Sequence, residues 1–197
     1  MKITSNNVLT IARSYLGYSA GESAYTELLK IYNSRDKITP EGKLTAADEW
    51  SGAFISICFI QAKGEKLIGV REKDISKLIA RFKKRRIWHE KDKPLKVGDL
   101  VVLTGYKMGI VEAIHGRVIV LILGDKNGTI GRLRILNSDD RIVGSARPKY
   151  ATEKQATDEV AAEVLMGKWG NGRFLKKKLT DAGYDYDKIQ RRVCELS

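Results

Sequence analysis

Residues 47–62 read Ala-Asp-Glu-Trp-Ser-Gly-Ala-Phe-Ile-Ser-Ile-Cys-Phe-Ile-Gln-Ala, a polar opening that runs into the most apolar stretch of the chain, Gly52 to Ala62. Ala47-Asp48-Glu49-Trp50-Ser51 opens a helix, because short polar side chains at such a start satisfy amides that the first turn leaves unpaired. The apolar run holds Ser56 and Gln61 and is far shorter than the ~20 residues a membrane span needs. It reads as a helix buried in a protein core, with Ser51 as its N-cap and Cys58 as a small buried hydrophobe.

Outward from this helix the periodicity changes once. Upstream, Val8 to Leu16 and Ala24 to Ile31 have helical apolar spacing, and Ile75 to Phe82 adds a short helix downstream. Val97-Gly98-Asp99 then introduces β-rich runs over Leu100 to Leu103, Met108 to Ile114 and Arg117 to Leu123, with His115-Gly116 at a turn. Leu133-Arg134-Ile135 and Arg141-Ile142-Val143 supply further strands. Helices followed by an antiparallel sheet make an α+β pattern.

A polar stretch from Arg147 to Thr157 follows, and beyond it the helical period returns. Asp158 is a cap for a helix through Leu165, Gly167 and Gly170-Asn171-Gly172 break it, and Phe174 to Ala182 forms the next. Asp185 precedes a third helix through Ile189, Val193 and Leu196. The expected organisation is an N-terminal domain over 1–150, a linker over 151–157 and a three-helix bundle over 158–197.

The 197 residues carry 36 Lys+Arg against 24 Asp+Glu, a formal +12, with 43% hydrophobic residues. That composition excludes disorder and collagen-like classes and describes a folded basic protein. Residues 151–197 hold 9 basic and 8 acidic residues, which leaves 27 and 16 upstream, so almost all net charge lies before the linker. The two cysteines, Cys58 and Cys194, offer no disulfide framework and no metal-ligand spacing, so no metal and no cofactor are expected. The start Met1-Lys2-Ile3-Thr4-Ser5-Asn6-Asn7 lacks the apolar run of a secretory signal. The expectation is synthesis in the cytoplasm.

Two resemblances sharpen these readings. Residues 158–193, with Lys168-Trp169-Gly170-Asn171-Gly172 and Leu179-Thr-Asp-Ala-Gly-Tyr-Asp-Tyr-Asp at their centre, resemble the three-helix cell-wall-binding repeat of pneumococcal phage lysozymes. The resemblance implies binding of the glycan-peptide unit of bacterial peptidoglycan through the loop Lys168, Trp169, Gly170, Asn171, Gly172 and the turn Tyr184, Asp185, Tyr186, Asp187. Trp and Tyr faces stack on pyranose rings, while Asn and Asp exchange hydrogen bonds with hydroxyls and amides. The family has an arginine three residues after the Gly-Asn-Gly loop, where this chain has Leu175.

Residues 8–150 resemble CHAP/NlpC-type peptidoglycan amidase and endopeptidase domains of phage and mobile-element proteins. The landmarks are Ile11-Ala-Arg-Ser-Tyr-Leu-Gly, Ala47 to Ser56, Lys96-Val97-Gly98-Asp99, Met108-Gly109-Ile110-Val111-Glu112, Ile142-Val143-Gly144 and Arg147-Pro148-Lys149-Tyr150. The resemblance implies a papain-like fold, with N-terminal helices packed on an antiparallel sheet. It also implies a cysteine at a helix N-terminus, a histidine base on a neighbouring strand and a third polar group to orient it. At those three positions the chain has Ser51, Lys107 and Leu123.

That substitution pattern reads first as a degenerate, non-catalytic domain in a peptidoglycan-binding protein derived from a phage-type endolysin. A second reading keeps catalysis: Ser51 and Lys107 form a Ser-Lys dyad that cleaves a peptide-stem amide. Desolvation by Leu123 would lower the lysine pKa, and backbone amides near Ser51 and Gly52 would act as oxyanion donors. Gly124-Asp125 supplies either an orienting carboxylate or only a turn. A third reading makes the chain a subunit docking on an active hydrolase or a virion.

Lys83, Lys84, Arg85 and Arg86 form the densest basic cluster, either a solvated face or a site for a polyanion. In a wall context the polyanion is teichoic acid; no helix-turn-helix, zinc-finger or aromatic-basic signature accompanies the cluster, so nucleic acid is disfavoured. His89 and His115 have no ligand companions and read as exposed structural residues. The expected place of action is the Gram-positive cell wall, reached after lysis or holin-type release.

Overall fold

The computed structural model describes residues 2–19, 21, 23–34, 42–69 and 71–197. Its centre is α3 (Ser51–Gln61), whose residues from Ser51 to Ile60 are all buried. A helix apolar on every side must be covered on every side. Helices α1 (Ser5–Ser14) and α2 (Ser23–Asn33) cover it from one direction and a sheet from the other, while α4 (Glu65–Ile68) and α5 (Ile75–Lys84) follow it in sequence. Thr4 caps α1 in a reciprocal box with Asn7, and Asp74 caps α5 through the Lys77 amide.

The sheet comprises β1 (Trp88–Glu90), β2 (Leu100–Leu103), β3 (Lys107–His115), β4 (Val118–Lys126), β5 (Thr129–Leu136) and β6 (Ile142–Ala146). All pairings are antiparallel, in the order β1-β6-β2-β3-β4-β5. Met108, Ile110 and Ile122 turn toward α3, whereas Val101, Leu103, Val111, Ile119, Leu121, Leu123, Ile135 and Ile142 form a second cluster on strand residues. Register shifts at Val102/Leu103, Val111/Ala113 and Leu123/Lys126 bend these strands, which lets the sheet bury that second face largely on itself.

The mixed α+β class, the central buried helix and the His115-Gly116 turn agree with the sequence reading; Gly116 has φ +60°. Four local expectations need correction. Trp50, not Ser51, occupies the N-cap of α3, and Ser51 sits inside the first turn. His89 lies half-buried on a strand opposite Ser145 rather than exposed. The strand at Leu133–Ile135 extends over Thr129–Leu136. The stretch expected as a linker, 151–157, is helical from Glu153, so Asp158 lies within α6 (Glu153–Leu165) instead of capping it. There Asp158 accepts from Arg192 at 2.6 Å, an interaction between distant segments that local sequence cannot announce.

Helices α6, α7 (Gly172–Asp181) and α8 (Tyr186–Leu196) gather Val160, Leu175, Leu179 and Ile189 into a separate small core. Gly183, at φ +79°, ends α7, and Asp185 caps α8 through the Lys188 amide. This unit meets the N-terminal region at its first residues: the Lys2 amide donates to Glu159 and the Ala151 amide to the Ile3 carbonyl.

Candidate functional site

Ser51 is buried, and its hydroxyl is engaged both as donor and as acceptor. It donates to the Met108 carbonyl at 3.1 Å and accepts from the Met108 amide at 2.8 Å. The reason lies in the register: β3 pairs with β2 at Met108, but pairing with β4 begins only at Gly109 opposite Leu123. The serine side chain takes the place of the missing strand neighbour and pins α3 to β3. Gly52 next to it is required by space, because a Cβ there would fall on the Lys73 carbonyl oxygen.

Lys107 meets Asp125, Nζ to Oδ2 at 2.6 Å, and the other carboxylate oxygen accepts from the Gly128 amide. Asp125 therefore both orients Lys107 and shapes the turn after β4, combining the two roles that the sequence left open. Leu123 is buried among Val111, Leu121 and Ile135 in the second sheet cluster. The chain thus brings Ser51 to the Met108 backbone and Lys107 to a carboxylate; the serine proton points to a peptide carbonyl. The Lys107 ammonium is turned to Asp125 rather than to the serine hydroxyl, whose proton a general base would have to reach.

A polar cleft of about 390 Å³ opens beside Ser51, with Asp48, Glu49, Lys73, Asp74 and Tyr106 on its walls. Burial pushes the Asp48 carboxyl up, but hydrogen bonds from Lys73 and Thr45 outweigh it and hold the group below its ordinary value. Tyr25 packs edge-on against Trp50 with ring centroids 4.7 Å apart. Its hydroxyl is pushed up by burial first and then by Asp48 and Asp125.

In the C-terminal unit, the named loop and turn converge through one aromatic pair. Trp169 meets Tyr184 edge to face at 5.9 Å, and its indole Nε1 donates to Glu163 at 2.8 Å. Lys168, Asn171 and Gly172 are exposed, and Gly170 and Gly172 both have positive φ, which suits glycine where a loop must turn into α7. Tyr186 is half-buried beneath the Lys176 ammonium, 5.3 Å from its ring, while Asp185 is occupied as a cap and Asp187 is exposed. Leu175 belongs to the core of the unit with Leu179 and Ile189.

The basic cluster sits at the end of α5, and all four side chains are exposed. Lys83 lies over the Trp88 ring and 3.8 Å from Glu90, and Arg85 donates to the Lys66 carbonyl. His115 is exposed and His89 half-buried. Among the described residues no group of three or more His, Cys, Asp or Glu is placed to hold a metal ion, and no helix is long and apolar enough to cross a membrane.

Two features escaped sequence reasoning. Tyr106 at the Ser51 cleft, exposed and at φ +55°, carries no local signal beyond the preceding Gly105. The closeness of α1 to the Trp169 loop is a tertiary contact without any periodic signature.

A family model described as the CW_7 repeat matches residues 158–196. This is a cell-wall-binding repeat, and the match suggests cell-wall binding for this chain. No curated protein matches the chain. Among solved structures, one described as "The crystal structure of Ly7917" is 18% identical over 74% of this chain, with a TM-score of 0.38. The alignment covers 62% of that longer chain, a likeness that assigns neither fold nor function.

Proposed function

We propose that the chain is a bacterial peptidoglycan-binding protein in which a degenerate CHAP/NlpC-like, papain-type domain accompanies a single wall-binding repeat, without hydrolase chemistry. The CW_7 match over 158–196 carries the wall-binding part. The commitment of the Ser51 hydroxyl to Met108, the Lys107–Asp125 ion pair and the burial of Leu123 support the loss of catalysis. A nucleophile needs a free lone pair aimed at a substrate and a base able to take its proton. In this reading the 1–150 region retains the architecture and has lost the chemistry, and the 158–197 unit targets the wall through Lys168, Trp169 and the loop to Gly172. The basic cluster Lys83 to Arg86 adds long-range attraction to teichoic acid.

The deciding experiment incubates purified Gram-positive sacculi with the protein, with Ser51→Ala and with Lys107→Ala. Co-sedimentation and release of amino groups are both followed. The expected result is co-sedimentation of all three with no release by any. Release by the unaltered protein that both substitutions abolish would replace this reading with a Ser-Lys amidase or endopeptidase.

A further inference from the structure

A cleft of about 580 Å³, larger than the one at Ser51, lies between the N-terminal region and the C-terminal unit. One wall carries Lys168, Trp169 and Lys178 with Gly183, and the opposite wall carries Asn7 and Thr10 of α1 together with Gln61 and Lys63 at the end of α3. Its volume falls in the range of pockets that enclose a small ligand, roughly 300–1,000 Å³.

The chemistry of the two walls is complementary to one kind of molecule. Lys63, Lys168 and Lys178 pair with no carboxylate among the described residues, whereas the two acids of the cleft are engaged. Glu163 accepts from the Trp169 indole and Asp181 lies 3.7 Å from Lys177. Three available ammonium groups favour an anionic ligand. The half-buried Trp169 ring offers a face for a sugar, held in place by Glu163 and Tyr184. Asn7 spends its carbonyl oxygen on Thr4, so its Nδ2 is left on the side of Gly183, where an added Cβ would lie 3.5 Å away. Gln61 and Thr10, both exposed, add amide and hydroxyl groups suited to N-acetyl and peptide partners.

The geometry points to a composite site: a carboxylate-bearing glycopeptide fragment of peptidoglycan binds between the repeat and the N-terminal region, with Thr10, Gln61 and Lys63 contributing to recognition. This rests on the wall-binding reading above and deepens it. The N-terminal region is then one half of the binding site, so the repeat alone holds an incomplete one. Teichoic acid shares the negative charge but lacks the N-acetyl groups, peptide amides and stem-peptide carboxylates that the mixed lining answers.

The test measures binding of a soluble disaccharide-peptide, released from sacculi by a muramidase, to the full chain by calorimetry, with polyglycerol phosphate as a second probe. Three variants alter only the wall outside the repeat: Thr10→Trp fills the cleft, Gln61→Ala removes a carboxamide and Lys63→Glu reverses a charge. Thermal unfolding of each variant checks that the fold is retained, and the two substitutions at exposed α3-end positions leave the core untouched if Thr10→Trp unfolds. The expected result is about a tenfold weakening of disaccharide-peptide binding in each folded variant, the size of one lost charge-assisted or blocked contact. Unchanged binding in all three, alongside loss in Lys168→Ala, would overturn the composite site and leave the repeat as the whole site. Binding of polyglycerol phosphate in place of the disaccharide-peptide would also overturn it. Failure of the unaltered protein to bind either the fragment or intact sacculi would instead remove the wall-binding reading itself.

Discussion

The Ser51 hydroxyl gives and takes a hydrogen bond with one residue, Met108, at the point where β3 has no β4 partner. A group in that position acts as a piece of backbone. Replacing it by alanine leaves a buried amide and a buried carbonyl unpaired, each costing about 1–3 kcal/mol. Ser51→Ala is therefore expected to lower unfolding stability by about 2–6 kcal/mol, read as a shift in urea midpoint at constant slope, with sacculus binding unchanged. A variant as stable as the parent would show that water replaces the hydroxyl there.

The adjacent Gly52 leads to a sharper expectation. Its missing side chain makes room for the Lys73 carbonyl, which is backbone and cannot swing aside. Gly52→Ala forces the 72–74 segment or α3 to move, at a cost of about 1–3 kcal/mol in spite of the better helix propensity of alanine. Denaturant unfolding of this variant beside Gly17→Ala, where an added Cβ meets nothing within 4 Å but φ is +90°, separates crowding from backbone strain. Equal losses in the two would discount the Lys73 contact.

Acid sensitivity follows from Glu112, which accepts from Arg13 on α1 and from Arg132 on β5. The Arg132 hydrogen bonds are the largest influence and, with Arg13, hold the carboxyl at about 2 against an ordinary 4.5. The folded state thus binds fewer protons than the unfolded chain between these values. The stabilisation is present above pH 4.5 and is lost as pH falls toward 2. Glu112→Gln should flatten the dependence of urea midpoint on pH within that window and leave its slope above pH 5 unaltered. A parental slope in Glu112→Gln would mean other carboxylates carry the acid response.

Much of this arrangement was legible beforehand, for physical reasons that differ by region. Gly52 to Ala62 announced a buried helix because no face of it could meet water, and the β-rich runs from Leu100 to Leu123 announced paired strands. The Gly-Asn-Gly loop and Tyr-Asp-Tyr-Asp turn carried the resemblance to a wall-binding repeat, which the family match over 158–196 supports. What stayed hidden depends on pairing across the fold. Trp88-His89-Glu90 becomes a strand only because β6 offers an edge, and Asp158 leaves its expected cap because Arg192 reaches it from α8. Asp99 and Arg147, each within a quoted landmark, form a bidentate pair at 2.9 and 2.7 Å that spacing alone could not supply. Lys107 was read against Ser51, but the bulge in β4 before Lys126 delivers Asp125 to it instead.

The last expectation concerns Trp169, whose ring both packs on Tyr184 and borders the interdomain cleft. If its contribution to wall binding is stacking on a sugar, it is worth about 0.5–1.5 kcal/mol, a three- to tenfold change in affinity. Charge attraction would vanish with added salt, whereas stacking would not. Trp169→Ala should therefore weaken sacculus co-sedimentation by that factor at both low and high salt, while Trp169→Phe, which keeps an aromatic face and loses the Glu163 hydrogen bond, should retain most of it. Lys83→Glu with Lys84→Glu should do the converse, lowering binding at low salt and converging on the parent as salt rises. A Trp169→Ala variant that differs from the parent only at low salt would remove the indole from sugar recognition and leave it a packing residue of the three-helix unit.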